Sequence, residues 1–107
     1  MKRFGQMIKL KKGCAEEYIR YHQDSWTGVN QMIKESNIRN YSIYFKDDFL
    51  FAYFEYVGND FERDMQKIAA DETTQKWWSV VKPLMEPVKN REEWEFWANM
   101  AEVYHLD

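Results

Sequence analysis

Tyr18, His22 and Trp26 stand at four-residue steps, which places the one side chain that titrates near neutral pH between two amphipathic aromatics. On a helix this spacing lays all three along one stripe. An imidazole with an ordinary pKa of about 6.5 exchanges protons readily at pH 7, and a face built only for packing would use Leu instead. The plainer reading is a hydrogen-bonded core histidine or a surface neighbour of Glu16 and Glu17. Trp77 and Trp78 form a second feature. Adjacent helical residues point about 100° apart, so both cannot face one core. One is expected to anchor the core while the other lines a cleft or covers a partner subunit. Tyr41 shares its strand face with Ile43 and Phe45, where packing is the default and a phenol donor reaching into a pocket is the sharper alternative.

The carboxylates are abundant and less specific. Glu16-Glu17, Asp47-Asp48, Asp71-Glu72 and Glu92-Glu93 read as surface, turn or capping groups. Glu55 and Glu102 differ, because each sits inside an otherwise apolar strand, where an acid is costly unless it is paired or faces a polar cavity. Arg39 is the expected partner of Glu55, and His105 or a lysine that of Glu102. Cys14, just before a helix, suits a capping or loop role better than that of an activated thiol. As the single cysteine it excludes an internal disulfide and any multi-cysteine zinc or iron–sulfur site. The only other histidine, His105, forms no HExxH pair with His22. The expectation from these counts is an activity with no metal.

Composition narrows the partners. With 15 Lys+Arg against 18 Asp+Glu, the net charge is −3 and no basic run provides a footprint for phosphate backbones, so no nucleic-acid partner is expected. No apolar run approaches the roughly 18 residues of a membrane span, and Met1-Lys2-Arg3 is not followed by a signal-peptide core. A cytoplasmic protein without a membrane partner is expected. Five Trp, seven Tyr and seven Phe make 18% of the 107 residues, an aromatic excess in a chain that is polar on average, suited to core, interface or a half-polar pocket.

These residues must be positioned by a short run of elements forming one domain, 1–107. Phe4 to Leu10 alternates with period two and reads as a strand ended by Lys11-Lys12-Gly13. From Cys14 the period becomes helical to about Ser36, with Gly28 as the place for a kink. Asn40 to Tyr56 reads as a hairpin turning at Lys46-Asp47-Asp48. Phe49 to Phe54 is apolar on both faces, which implies a sheet covered on both sides. Asn59 with Glu62 forms a helix start, a second helical piece spans Asp71 to Met85, and Trp97 to Leu106 supplies a last strand. Strand, helix, strand, strand, helix, strand is the ferredoxin-like α+β order, an antiparallel sheet with helices on one face. Its second, aromatic face predicts a homodimer packed sheet to sheet, or a pocket opening there.

Glu17-Tyr18, Arg20, His22 and Trp26, then Asn40-Tyr41-Ser42-Ile43-Tyr44, then Trp77-Trp78 and the final Glu102-Val103-Tyr104-His105 resemble the L-rhamnose mutarotase family over nearly the whole chain. The resemblance implies a ferredoxin-like dimer, a dimeric α/β barrel, that interconverts the α and β anomers of a 6-deoxy-hexose without metal or cofactor. It implies that His22 is the catalytic proton donor and that Tyr18, Tyr41, Trp77 and Trp78 bind the sugar. The Trp-rich stretch Trp94 to Asp107 looks more like relatives associated with L-fucose use, so L-rhamnose and L-fucose both stand as substrates.

The residues suit that chemistry on their own terms. Opening a pyranose ring protonates the ring oxygen while a base removes the proton of the anomeric hydroxyl, and both transfers need a group that exchanges protons near pH 7. Tyr18, a bound water and an acid such as Glu102 are the candidates for the partner base. Tryptophan and tyrosine cover the C–H faces of a sugar while their donors reach its hydroxyls. A ferredoxin-like dimer that degrades haem or acts as a cofactor-free monooxygenase is the competing class, and a non-catalytic dimeric interaction module a third.

Overall fold

Alternation in Lys2–Leu10 produces β1, which pairs antiparallel with Phe49–Tyr56, here β3, along its whole length. The computed structural model describes all 107 residues. Ile8 and Leu50 lie opposite each other and are fully buried, so the period-two pattern directs one face of both strands into the core. Ile38–Lys46, β2, completes the hairpin with β3. Its loop is Asp47-Asp48, with φ of 52° and 67°, the pair of left-handed residues that a two-residue hairpin turn requires.

Cys14 to Ser36 does not form one kinked helix. The chain forms α1, Ala15–Gln23, leaves the helix at Asp24, and starts α2, Thr27–Glu35, after an extended Trp26. Asp24 and Ser25 favour local, non-helical bonding, and Ser25 Oγ accepts from Asn30 Nδ2 at 2.9 Å. Gly28 therefore lies in the first turn of α2, where a Cβ would come within 3.1 Å of Thr73. The missing side chain permits close approach of α2 to the fourth helix.

Phe61–Ala70 forms α3, capped by Asp60 and not by Asn59: the Asp60 carboxylate accepts from the Arg63 amide at 3.2 Å. Asp71 caps α4, Glu72–Val81, by accepting from both the amide and the hydroxyl of Thr74 at 2.9 Å. Pro83 ends α4 before Met85 through a 3-10 turn, Lys82–Leu84. Behind α3, the buried Asp64 carboxylate accepts from the Tyr56 hydroxyl at 2.5 Å and from Asn37 Nδ2 at 3.0 Å, tying helix to sheet.

Two short strands share the free edge of β1. Met85–Glu86, β4, pairs with Leu10 and Lys9, and Ala98–Met100, β5, pairs with Met7 to Gly5. The expected long strand Trp97–Leu106 is thus only three residues, because beyond Met100 the Arg3–Glu102 ion pair at 3.0 Å is the tail's hold on the sheet. Val103, Tyr104 and Leu106 stand exposed.

The sheet order β2-β3-β1-β4 with helices on one face is the ferredoxin-like α+β arrangement. The other face is not covered by this chain: Tyr44 is 66% and Phe51 37% exposed. No helix is long and apolar enough to cross a membrane.

Candidate active site

Helix α1 sets Tyr18 and His22 one turn apart, and their rings stack with centroids 4.2 Å apart at 28°. His22 Nδ1 lies 2.9 Å from the Tyr18 carbonyl oxygen. A carbonyl only accepts, so Nδ1 carries the proton and the neutral ring keeps its free lone pair on Nε2. Burial lowers the His22 pKa below its ordinary 6.5, while the Tyr18 carbonyl pulls it back up. The imidazole is therefore neutral at pH 7 and ready to take a proton.

Trp77 packs edge-on to His22, with centroids 5.1 Å apart at 68°. Trp26 reaches the same indole at 5.3 Å, although it belongs to the break between α1 and α2 and not to the expected single helix. Trp77 is 6% exposed and part of the main core, whereas Trp78 is half-buried beneath Lys82, whose Nζ sits 4.1 Å from the indole centroid and 5.1 Å from that of Phe96.

Tyr41 enters from β2 at a bulge. Between Arg39 and Ser42, three steps on β2 face two on β3, and Asn40 takes a left-handed φ of 51°. The extra residue turns Tyr41 toward Phe54, with ring centroids 5.5 Å apart. Tyr41 as a residue is 41% exposed, yet desolvation holds its phenol at about 12. Burial, reinforced by the Tyr41 phenol, also raises Tyr18 far above the usual tyrosine value. Both phenols are hydroxyl donors at neutral pH.

Tyr18, His22, Tyr41, Trp77 and Trp78 all line one cavity of about 980 Å³. It lies between the sheet and its helical layer, and not on the far face of the sheet as one sequence expectation had it. Both tryptophans line it, so their difference is one of depth. A smaller cavity of about 200 Å³ shares Tyr18, His22 and Ile43 and adds Phe45 and Leu50. The stacked pair is a wall between the two.

Sequence reasoning did not assign Gln6, Asn30, Trp94 and Trp97 to the lining. Gln6 carried a readable signal, being the polar member of the core-facing series Phe4, Gln6, Ile8, Leu10. The two strand acids do not reach the cavity. Glu102 accepts from Arg3 Nη2 at 3.0 Å and Nε at 3.3 Å, which removes it as a partner base, while His105 pairs with Asp107 at 2.7 Å. Glu55 accepts from Asn40 and Tyr53, and Arg39 donates instead to the Lys34 and Ile38 carbonyls. Cys14 occupies the N-cap of α1 without a side-chain capping bond.

The cavity thus offers one neutral imidazole with a free nitrogen, two phenol donors and broad aromatic walls. Proton exchange on a hydroxylated ligand with apolar faces fits that set. A family model described as L-rhamnose mutarotase matches residues 3–106. A protein from Lactiplantibacillus plantarum named L-rhamnose mutarotase is 32% identical over 107 residues, covering 100% of both chains. One of the same name from Listeria monocytogenes is 32% identical over 108 residues, covering 99% of each. Among solved structures, an L-rhamnose mutarotase from Formosa agariphila superposes over 100% of both chains with a TM-score of 0.77 at 23% identity. Tetracenomycin F2 cyclase from Streptomyces glaucescens, a type-II polyketide cyclase, shares the fold at a TM-score of 0.67 and 14% identity, over 100% of this chain and 98% of its own. With the family model spanning nearly its whole length, this chain belongs to the L-rhamnose mutarotase family, isomerases of the anomerase class.

Proposed function

We propose that residues 1–107 act as one mutarotase domain that binds L-rhamnose in the large cavity and interconverts its α and β anomers, with L-fucose as the second sugar. The observation that carries the reading is His22, neutral in an aromatic cavity, with Nδ1 held by the Tyr18 carbonyl and Nε2 free. The anomeric hydroxyl and the ring oxygen are bonded to the same carbon, so one nitrogen can serve both in turn. Nε2 accepts the proton of the anomeric hydroxyl as the C1–O5 bond breaks and the carbonyl forms, and the resulting imidazolium delivers that proton to O5. Rotation about C1–C2 presents the other carbonyl face. In the reverse steps, Nε2 takes the O5 proton as O5 attacks, and returns it to the new anomeric oxygen. Electrons and protons balance without an external acceptor, so the step requires no cofactor.

His22 is then a proton donor at O5 only after it has been a base at O1, and no second carboxylate base is needed. Tyr18 and Tyr41, protonated throughout the neutral range, donate to sugar hydroxyls. Trp77 and Trp78 cover the C–H faces and the methyl group. The uncovered sheet face, with Tyr44, Phe51 and Met100 exposed, supports a homodimer packed through it, as apolar patches on a small domain favour association. A cytoplasmic setting fits a chain whose single thiol leaves no internal disulfide to form.

Replacing His22 with Ala abolishes most enzyme-dependent anomer exchange of L-rhamnose in saturation-difference NMR while the protein stays folded. In the parent protein, the exchange rate is level above pH 6.5 and falls as acidification protonates His22 through its lowered pKa. A rate that climbs on acidification, or an unaffected His22→Ala variant, removes His22 from this role.

The two tryptophans separate in a paired experiment. Trp77→Ala lowers unfolding free energy by about 3–5 kcal/mol in urea, as expected for a buried indole. Trp78→Ala keeps most of the stability and raises KM for the sugar. Two variants that are merely unstable, with unchanged KM, contradict the covering role of Trp78.

Sedimentation velocity at micromolar concentration gives twice the chain mass, and Phe51→Glu shifts the protein to monomer. A monomeric parent protein contradicts the sheet-to-sheet dimer.

A further inference from the structure

The outer sheet face carries a charged and polar set that the mutarotase reading leaves unused. Glu55 lies there within β3, and both its carboxylate oxygens are engaged. Oε1 accepts from Asn40 Nδ2 at 2.6 Å and Oε2 from the Tyr53 hydroxyl at 2.7 Å. These two bonds hold the Glu55 pKa below its ordinary 4.5, so the group is a carboxylate at neutral pH. Asn40 is the left-handed residue of the β2 bulge, the one place where that strand gains a residue over β3.

The bulge decides which way Tyr41 points. Upstream of it Ile38 is buried opposite Tyr56, and downstream Ile43 and Phe45 pair with the buried Ala52 and Leu50. An even-numbered residue thus faces the helices before the bulge and odd-numbered ones after it. Without the extra residue, strand alternation from Ile38 would turn Asn40 inward and Tyr41 outward. A left-handed conformation is unfavourable for residues other than Gly, and Asn tolerates it best when its side chain is bonded locally. The Glu55 carboxylate supplies that bond from the neighbouring strand.

We infer that Glu55 is a positioning residue for Tyr41, acting through Asn40 to lock the bulge from the side of the sheet opposite the cavity. Its value for the reaction rests on the reading that Tyr41 holds the sugar. Its value for geometry does not. Glu55 touches no substrate, so its loss is felt as misplacement of the Tyr41 hydroxyl, and it appears in binding more than in turnover.

The test measures kcat and KM for anomer exchange in Glu55→Ala, Glu55→Gln, Tyr41→Phe and the Glu55→Ala/Tyr41→Phe double variant, together with the NMR contact between the Tyr41 and Phe54 rings. Glu55→Ala is expected to raise KM about fivefold, the scale of one lost neutral hydrogen bond, with kcat within about twofold of the parent. It also loses the Tyr41–Phe54 contact. Glu55→Gln keeps an acceptor for Asn40 and restores both. The double variant is no worse than Tyr41→Phe alone, because both changes remove one interaction. Multiplying KM effects, or an intact ring contact in Glu55→Ala, overturns the inference. Should Tyr41→Phe leave KM unchanged, Tyr41 is not a sugar contact, and the ring contact in Glu55→Ala alone then decides whether Glu55 positions it. Where Glu55→Ala does not fold, Asn40→Ala, which removes the bond and leaves a residue that disfavours the left-handed backbone, is read by the same contact and the same criteria.

Discussion

The indole of Trp77 is the piece on which both the core and the cavity depend. It belongs to the buried cluster with Ile8, Leu10 and Leu50, and it also presents its ring to His22 and Trp26. One rigid side chain therefore spaces α4 from α1 and from the break before α2. Smaller apolar residues at this position would let the helical layer settle onto the sheet, and the space between the layers would close. Part of the aromatic excess of this chain, Trp77 with Trp26 and Tyr18, sits between these elements. Large flat rings separate two layers that close packing would otherwise bring together.

The same geometry accounts for the state of His22. Stacking on Tyr18 and proximity to Trp77 remove water from the imidazole, which disfavours its charged form, while the Tyr18 carbonyl favours it. The two influences oppose each other, and desolvation is the larger. Burying a neutral imidazole with one nitrogen satisfied is cheap compared with burying a carboxylate, which would need its own cation. Both acids read from the strands lie outside the cavity, where Arg3 satisfies one and Asn40 with Tyr53 the other.

Period and composition made much of this legible. The alternation of β1, the hairpin around Asp47-Asp48 and the helical spacing of Tyr18 and His22 are local properties, fixed by residues close in sequence. What escaped was set by residues far apart. The break at Asp24 follows from polar side chains that outcompete one more helical turn, against an apolar spacing that continues through it to Trp26. The last strand starts only at Ala98 because β4 already holds the Lys9–Leu10 end of the β1 edge, and past Met100 the tail is held by the Arg3–Glu102 ion pair instead of a ladder, which the alternation of the tail does not reveal. The cavity lay on the unexpected side of the sheet for a similar reason. An alternating strand identifies two faces but not how far a helical layer stands off one of them, and that distance is set by Trp77 on another element.

Mutarotation asks little of a protein in energy and much in placement. No bond to carbon other than C1–O5 breaks, and the proton removed is returned, so there is no strong base to stabilise and no charge to carry away. On the reading proposed above, a single imidazole on a rigid helix suffices for the proton, provided that the sugar is held with its anomeric end toward Nε2. In the proposed mechanism, orientation falls to groups on other elements, Tyr41 on β2 and Trp78 on α4, and to whatever fixes those elements. The β2 bulge belongs to this second tier. It sits where strand alternation alone would have turned a phenol to the other face, and the carboxylate bonded to Asn40 lies across the sheet from the cavity.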